Sequence, residues 1–493
     1  RLHESRRWFE VMPRSFHQYR PEHMFCLSQL NFTNNMIPYP LRKTIVRNLL
    51  PALFLLGIAP VAQSAPPSGA SETRLIQEAH QRYQRQKYGL FVHYVPALTV
   101  DPKTNQSVQD IDALARNFDA EQFAQDAADF GVEYVIFTAH HLSARMLYPS
   151  AVNKRWRDDR RKPGSSDEKN WKTYSDTDVI DRLATALAKK KIDLHLYVHP
   201  VDGHDFSRED QDNTGWNDCD AKSGDHTRWN DFQNELFDEL CKRYGTRIKG
   251  LWFDGMYLHS AKQPMHGCID QPRFRQTLLK YNPALILTAN VAGVRDKNPC
   301  ADWVAADYRG WECNDITGWS GLRALNPNAD PANAFTWPGT DVQMSLVIAG
   351  SWWASNKSNN LTYSVADLYR YLVLQASVSK SGGFVVSAGC FPGSVKDQPN
   401  GNIWEGNVRQ SLLEMNRLIA PIAESIKNTH ASEAFVTEDH ERLEQKGWGV
   451  ATDAPDGSAT YLHVLRPPNA STLDIGKPAN GIGCLLYTSP SPR

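Results

Sequence analysis

Residues 134–141 read YVIFTAHH. The first five positions form an apolar run without polar alternation, which is typical of a strand buried on both faces of a parallel sheet. Seven more runs of this kind occur between residues 88 and 388. The eight predicted strands are Tyr88–Tyr94, Tyr134–His140, Asp193–His199, Gly250–Phe253, Leu285–Asn290, Trp303–Tyr308, Met344–Gly350 and Phe384–Ala388.

Amphipathic segments separate most of these runs. Asp178–Lys190, for example, places Ile180, Leu183 and Leu187 on one face of a helix. No helical segment is apparent between the fifth and sixth strands. Strand–helix alternation repeated in this way predicts a (β/α)8 TIM barrel over residues 66–428. The other predicted helices are Asp119–Phe130, Trp229–Tyr244, Pro272–Tyr281, Val365–Ser379 and Trp404–Ser425.

The pattern changes after about residue 430. Gly447–Thr452 and Thr460–Leu465 are short apolar segments on either side of Asp453–Ser458, which contains Pro-Asp-Gly. Two such segments around a turn sequence predict a β-hairpin. We therefore expect residues 429–483 to form part of a C-terminal β-domain that is cut short.

The N-terminal region differs in composition from the barrel region. Basic residues Arg42, Lys43 and Arg47 precede an apolar run over Leu49–Ala62, and small residues follow it. This order predicts a secretory signal peptide over residues 36–65, and hence a secreted or periplasmic protein. The run is shorter than the roughly 20 residues of a membrane span, so we expect no stable membrane insertion; an uncleaved anchor is the alternative.

The extreme ends do not fit the rest of the sequence. Because a signal peptide begins a protein, residues 1–35 are interpreted as translated upstream sequence. Residues 484–493 read CLLYTSPSPR and break off from the preceding pattern. They are interpreted as an artefactual tail, and a natural disordered tail is the alternative.

Composition restricts the class of protein. The chain has 493 residues, a net charge of −1, 41% hydrophobic and 22% charged residues, which excludes a collagen-like or disordered protein. A net charge near zero removes the electrostatic argument for a nucleic-acid partner. No C-x-x-C pair with a matching histidine set indicates zinc. Disulfides between Cys300 and Cys313, and between Cys219 and Cys268, are conjectures that the sequence cannot settle.

The predicted strand ends are polar, and a barrel carries its catalytic groups at the C-terminal ends of its strands. Asp254 follows the apolar run Leu251–Phe253 directly and precedes Gly255, so we expect its carboxylate in the barrel mouth. An aspartate that caps the next loop is the alternative. Other polar or aromatic strand ends carry His93, His140, His141, Tyr197, His199, Asn290, Asp307, Trp352 and Trp353.

Histidines and tryptophans beside a carboxylate suggest a ligand with many hydroxyl groups. Retaining glycoside hydrolysis uses two carboxyl groups about 5 Å apart, one as nucleophile and one as acid/base. Glu312 is the single glutamate between Asp254 and Thr340. Trp311 beside it would desolvate the carboxyl group and raise its pKa. A loop glutamate without a role is the alternative.

We expect no metal and no cofactor. A metal bound by the histidines is the alternative, but adjacent His140 and His141 on one strand would point to opposite faces and could not both bind one metal ion unless the strand has ended before them. No Gly-rich phosphate loop follows a strand, and no G-x-S-x-G sequence is present.

The chain resembles glycoside hydrolase family 29, the α-L-fucosidases, from about Ser71 to Gly481. YGLFVHY is similar to the family's FGIFIHWG segment, VEYVIFTAHH to AKYVVLTAKHHDGF, and GLWFDG to LWFDG. The segment ending in LHLYVH resembles GLKFGLYYS, and DYRGWE resembles DYETPE. GWGVATDAPDGSATYLHVL resembles the start of the family's C-terminal β-sandwich.

The resemblance implies a role for each matching residue. Asp254 would be the nucleophile and Glu312 the acid/base. The residues that would bind the sugar are His93, His140, His141, Tyr197 and Trp252. The substrate would be a fucosylated oligosaccharide or glycoconjugate, and no cofactor would be needed.

The sequence departs from the family pattern near these residues. Leu142-Ser143-Ala144 follows His141 where the family has Asp-Gly-Phe, and Tyr94-Val95-Pro96 replaces Trp-Gly-Pro. The family's Glu-Trp pair has no counterpart in Ala97–Asn117, and Arg295 is the nearest candidate for its arginine. A barrel glycosidase for a related deoxy or galacto-configured sugar, and a carbohydrate-binding pseudoenzyme, are therefore alternatives.

Overall fold

The computed structural model divides into two compact units, residues 1–65 and 66–493. All described residues belong to the second unit. The structure describes residues 69–164, 167, 169–201, 203–220, 225–255, 269–290, 306–313, 342–398, 401–432, 449–465 and 485–487. The predicted signal peptide and residues 291–305, which include Arg295, lie outside these ranges, as do Cys268 and Cys300, so neither conjectured disulfide is described.

Fourteen strands are described. They are β1 (Tyr88–Val92), β2 (Val100–Asp101), β3 (Gln106–Ser107), β4 (Tyr134–Thr138), β5 (Asp193–Val198), β6 (Gly250–Phe253), β7 (Ile286–Asn290), β8 (Tyr308–Cys313), β9 (Val342–Val347), β10 (Phe384–Ser387), β11 (His430–Ala431), β12 (Gly449–Asp453), β13 (Thr460–Val464) and β14 (Leu485–Tyr487).

Eight parallel strands close into a barrel in the order β1-β10-β9-β8-β7-β6-β5-β4. Strand β1 closes it by pairing with β4 on one side and β10 on the other. The predicted (β/α)8 barrel is therefore confirmed. Strands β1, β4 and β6 are buried along their length, which explains why they appear in the sequence as continuous apolar runs.

Helices surround the barrel. Seven of them begin at a residue whose side chain accepts a hydrogen bond from a backbone N–H in the first turn, for example Asp178 from Asp181 and Ser364 from Asp367, which satisfies a donor that the helix leaves unpaired. The helices are α1 (Gly69–Arg85), α2 (Ile111–Arg116), α3 (Ala120–Asp129), α4 (Ala151–Trp156), α5 (Val179–Lys189), α6 (Arg208–Thr214), α7 (Trp216–Asp220), α8 (Thr227–Tyr244), α9 (Gln271–Leu279), α10 (Val365–Val378) and α11 (Val408–Ile419).

The predicted sixth barrel strand was placed too early. The sequence favoured Trp303–Tyr308, whereas the structure has the strand at Tyr308–Cys313. This segment contains Gly310, where a Cβ would lie 2.7 Å from Nε1 of Trp252. The glycine makes room for an indole inside the barrel, and it also breaks the apolar run by which a buried strand is recognised.

The C-terminal sheet has the order β11-β12-β13-β14. Strands β12 and β13 form an antiparallel hairpin in which Asp453 is opposite Thr460, as the sequence predicted. Strand β14 lies parallel to β13 and falls within the stretch interpreted as artefactual. Whether residues 484–493 belong to the natural protein stays a prediction, as do the domain boundaries. None of the described helices combines the length and the hydrophobicity that a membrane span requires.

The N-terminal end of the barrel carries a buried lysine. Nζ of Lys87 donates hydrogen bonds to the carbonyl oxygens of Gln84 (3.0 Å) and Ser379 (2.7 Å). The lysine thereby connects the end of α1 to the residue that follows α10. Burial lowers the pKa of Lys87 to about 8, against the opposing effect of the Glu133 carboxylate.

We expect Lys87 to make stability depend on pH. Between pH 8 and 10.5 the unfolded chain binds a proton that the folded chain does not, so the free energy of unfolding rises with pH. From pH 7 to pH 9.5 the rise is about 2 kcal/mol. Urea unfolding at both pH values should show that Lys87→Met lacks this rise and that Lys162→Met, at an exposed lysine, keeps it. An equal pH dependence in wild type and Lys87→Met would contradict the assignment.

Candidate active site

Polar side chains from five neighbouring strands meet at the C-terminal end of the barrel. Each one lies at the end of its strand or within three residues beyond it. Because the C-terminal ends of parallel strands all lie at the same end of a barrel, these side chains share one mouth. They are His93, Thr138, His141, Tyr197, His199, Asp254 and Asn290.

The Asp254 carboxylate lies at the centre of this group. Its Oδ1 accepts hydrogen bonds from the backbone N–H of Gly255 (2.7 Å) and from Nδ2 of Asn290 (2.8 Å). Its Oδ2 accepts one from the hydroxyl of Tyr197 at 2.5 Å. The side chain is only 5% exposed. These three hydrogen bonds fix the carboxylate in one orientation. Among the described contacts Oδ2 accepts one hydrogen bond, and a carboxylate oxygen can accept two.

The local sequence explains why this carboxylate faces the mouth. Side chains alternate along β6, with Leu251 and Phe253 in the outer core and Trp252 inside the barrel. The backbone N–H of Asp254 continues the pairing by donating to the carbonyl of Val198 at 2.9 Å. The next inward position is therefore Asp254, as the sequence predicted.

Gly255 completes the turn after Asp254. Its φ of +79° is in the left-handed region, which glycine adopts without a Cβ penalty. A Cβ here would lie 2.7 Å from Cε1 of His199. The His199 imidazole thus packs directly against the turn that donates to the carboxylate.

His93 is a buried neutral base. Its Nδ1 lies 2.8 Å from Oγ1 of Thr138, and its ring packs edge-on to Tyr197 with 4.5 Å between centroids. Burial, reinforced by the nearby imidazoles of His141 and His199, lowers the pKa of His93 well below its usual value. A neutral imidazole offers one donor and one acceptor, which suits a hydroxyl group.

His141 and His140 have different surroundings. The His141 ring lies 5.3 Å from His93, 5.2 Å from Tyr197 and 5.5 Å from His199, and is almost parallel to the last. The His140 ring instead packs against Phe237 of α8 at 6.0 Å. The structure therefore brings His141 into the aromatic cluster at the mouth, whereas the described ring contact of His140 is with Phe237.

The backbone after His141 is strained. Leu142, Ser143 and Ala144 have φ values of +35°, +58° and +43°. Residues with a Cβ pay on the order of 1–3 kcal/mol each in this region, and they keep such a conformation only where the surroundings hold it. This is the segment where the sequence departs from the Asp-Gly-Phe of the family that it resembles.

The two tryptophans near the site have different positions. Trp252 is 1% exposed and lies inside the barrel, where its Nε1 donates to Oε1 of Gln343 at 2.8 Å. It packs against Phe91 and, in a stacked arrangement, against Tyr197. Trp352, after β9, is half-buried and perpendicular to Phe91, with its centroid 6.0 Å from that of His93. Trp352 thus retains an accessible indole surface near the imidazoles.

Glu312 lies within β8, opposite Ser345 of β9. It had been expected just past this strand. The position of its side chain lies outside what the structure describes. Its role as the acid/base, and the sugar-binding roles of His93, His140, His141, Tyr197 and Trp252, stay predictions.

Four residues of the mouth were given no role from the sequence: Thr138, His199, Asn290 and Trp352. His199, Asn290 and Trp352 were recognisable as strand ends, and that position was the available signal. Thr138 carried no signal, because it is the last residue of a run of apolar type. Within the described ranges, no three or more His, Cys, Asp and Glu side chains are grouped as a metal site requires.

Comparisons with known proteins identify what the chain is similar to. Residues 109–403 match the family model described as alpha-L-fucosidase. A curated relative, putative alpha-L-fucosidase 1 of Oryza sativa subsp. japonica, is 28% identical over 207 residues, which cover 42% of this chain and 35% of the relative. The chain thus spans about a third of the length of the curated relatives that it matches.

Two solved structures share the fold. Alpha-L-fucosidase isoenzyme 1 from Paenibacillus thiaminolyticus is 17% identical, with a TM-score of 0.52 over 80% of this chain and 85% of that one. A GH29 alpha-L-fucosidase from Bacteroides thetaiotaomicron, solved as a trapped covalent intermediate in complex with 2-fluoro-fucosyl fluoride, is 17% identical. Its TM-score is 0.51, over 80% of this chain and 83% of that one.

Proposed function

This chain belongs to the alpha-L-fucosidase family, and we propose that it is an exported, retaining exo-α-L-fucosidase. It would release terminal α-L-fucosyl residues from oligosaccharides or glycoconjugates. Export rests on the signal-like pattern of residues 36–65, and N-terminal sequencing of the mature protein tests it.

The observation that carries the proposal is the geometry of Asp254. A nucleophile must be ionised, oriented and able to reach the anomeric carbon. Hydrogen bonds from Gly255 and Asn290 to Oδ1 and from Tyr197 to Oδ2 fix the orientation of the carboxylate. They also hold the carboxylate at the mouth, where a sugar can enter. A binding protein would not need a carboxylate held in this way.

The neighbouring side chains suit a sugar. The imidazoles of His93 and His141 pack against Tyr197, which donates to the carboxylate, and the imidazole of His199 packs against the Gly255 turn. Each imidazole can hydrogen-bond a hydroxyl group. Trp352 offers an indole surface next to them, on which the apolar face of a sugar ring could stack.

The reaction would proceed in two displacements. Asp254 attacks the anomeric carbon as the bond to the leaving oxygen breaks, and Glu312 transfers its proton to that oxygen. Glu312, now a carboxylate, takes a proton from water as the water oxygen attacks the anomeric carbon and Asp254 is released. Glu312 has this role by the family resemblance, and its backbone lies within β8, opposite Ser345 of β9.

The test is the stereochemistry of hydrolysis. We expect the enzyme to hydrolyse 4-nitrophenyl α-L-fucoside, and proton NMR should show α-L-fucose as the first product, since two inversions retain the configuration. A panel of aryl glycosides with related deoxy and galacto-configured sugars gives the specificity. If the enzyme hydrolyses another glycoside but not the fucoside, the sugar of that glycoside replaces fucose as the assigned substrate. Binding of fucose without turnover of any glycoside would make the protein a carbohydrate-binding pseudoenzyme.

A further inference from the structure

The hydrogen bond of His141 defines its tautomer. The backbone N–H of Leu142 donates to Nδ1 of His141 at 2.9 Å. A neutral imidazole has one nitrogen that accepts and one that carries the proton. Because Nδ1 accepts, the proton of neutral His141 is on Nε2. His141 therefore presents an N–H donor at Nε2 to any group that meets that atom.

This hydrogen bond depends on the strained turn. The donor, the backbone N–H of Leu142, belongs to the first residue of the left-handed segment Leu142–Ala144. Neither residue 143 nor residue 144 is a glycine, so the conformation is not intrinsically favourable. Other parts of the protein must hold it.

Arg157, which follows α4, binds two carbonyl oxygens of the turn. Its Nη1 donates to the carbonyl oxygen of Ser143 at 2.6 Å and to that of Ala144 at 3.4 Å. Its Nε and Nη2 lie 2.9 and 2.7 Å from Oδ2 of Asp210. The guanidinium is 1% exposed and lies over the ring of Phe206, with 3.8 Å from Cζ to the ring centroid.

Asp210 is a suitable anchor for this arginine. It belongs to α6, is fully buried and also pairs with Arg161. Burial would raise the pKa of Asp210, but the two guanidinium groups outweigh that effect and keep its pKa below the usual value. The carboxylate therefore stays charged, and the arginine is held between an ionised partner and two backbone carbonyls.

We propose that Arg157 is a positioning residue for the sugar site: by holding the carbonyls of Ser143 and Ala144 it maintains the left-handed turn, and the turn fixes His141 as an Nε2–H donor. This inference rests on the proposed function in so far as His141 contacts the substrate. The group that His141 meets must then be an acceptor, such as a hydroxyl or ring oxygen of the sugar. Arg157 itself touches no substrate.

Lysine is the informative replacement. Arg157→Lys keeps a positive charge beside Asp210, but a single ammonium lacks the fork that reaches Asp210 and the Ser143 carbonyl together. Arg157→Met removes the charge as well. The matched control is Arg409→Met, because Arg409 pairs with buried Asp126 and joins α11 to α3 but does not contact the turn.

The tautomer can be measured directly. In protein labelled with 15N-histidine, two-bond proton–nitrogen correlation spectra distinguish Nε2–H from Nδ1–H, and His141→Gln identifies the signal. We expect the Nε2–H form in wild type and in Arg409→Met. Arg157→Lys should show an Nδ1–H or doubly protonated population, and its KM for 4-nitrophenyl α-L-fucoside should rise at least tenfold with a smaller change in kcat.

The outcomes separate the positioning role from the function. An Nδ1–H tautomer in wild type would overturn the inference, and this measurement needs no variant. An unchanged tautomer in folded Arg157→Lys would overturn it as well; should Arg157→Met not fold, the lysine variant still decides. If wild type hydrolyses no fucoside but Arg157→Lys changes the tautomer, the proposed function fails while the positioning of His141 is supported.

Discussion

Asp254→Asn is expected to lower kcat/KM for 4-nitrophenyl α-L-fucoside by on the order of 10³-fold or more, as removal of a nucleophile does elsewhere. The amide has the shape of the carboxylate. Its oxygen can still accept from Gly255 and Asn290, and its NH2 group can donate to the Tyr197 oxygen. The fold should therefore survive, and the loss should reflect missing nucleophilic chemistry. Stopped assays with aryl fucoside, at equal thermal midpoints, give the measurement.

A matched variant guards against a general effect of charge removal. Asp193→Asn removes a carboxylate at the start of β5, at the other end of the barrel, where it pairs with Arg82. We expect it to keep activity close to wild type. Near wild-type turnover in Asp254→Asn, in protein shown by mass spectrometry to contain asparagine at 254, would end the assignment of Asp254 as nucleophile.

Strands buried on both faces were the most predictable part of the fold. Runs such as YVIFT and GLWF are continuous because both faces meet apolar neighbours. Strand β8 did not follow this rule. Its inward position at Gly310 is occupied in space by the Trp252 indole, so the residue that fits the barrel best is one without a side chain. Only the three-dimensional neighbour explains it.

The candidate site was predictable to the extent that strand ends reveal it. Asp254 and His93 follow buried strands directly. The alternation of side-chain direction along each strand therefore predicts that both side chains point into the mouth. His140 and His141 lie beyond the end of β4, where alternation no longer applies, and the structure sends His140 towards Phe237. The left-handed turn after them is contacted by Arg157, 13 or more residues later in the sequence, and no local pattern could have indicated that contact.

Long-range packing also decided between the two tryptophans. The sequence favoured Trp252 because it precedes the predicted nucleophile. In the structure its indole is held inside the barrel by Gln343, which in turn donates to the hydroxyl of Tyr134. These buried hydrogen bonds from Trp252 to Gln343 and from Gln343 to Tyr134 explain why the Trp252 indole is not at the surface. For Trp352, the sequence offered only one signal, namely its position after a predicted strand.

The second large effect is expected for Glu312→Ala. General acid/base catalysis contributes about 10²–10⁴-fold, so kcat/KM should fall by that amount for fucosides with poor leaving groups. With 4-nitrophenolate, a good leaving group, the first displacement needs little help. The second displacement then limits turnover, because water has lost its base. We therefore expect kcat to fall steeply and KM to fall with it as the glycosyl-enzyme accumulates.

Azide distinguishes the two carboxyl groups by its product. In Glu312→Ala, azide needs no base and should raise kcat by attacking the glycosyl-enzyme, which gives α-L-fucosyl azide by two inversions. In Asp254→Ala it can only attack the substrate once, which gives the β-anomer.

The control variant is Glu405→Gln. Glu405 is fully buried, its Oε1 accepts hydrogen bonds from the N–H groups of Ser355 and Asn356, and burial raises its pKa. Azide should not affect that variant, because a buried carboxyl that holds a loop never meets the sugar. If azide fails to accelerate folded Glu312→Ala, another residue must supply the proton.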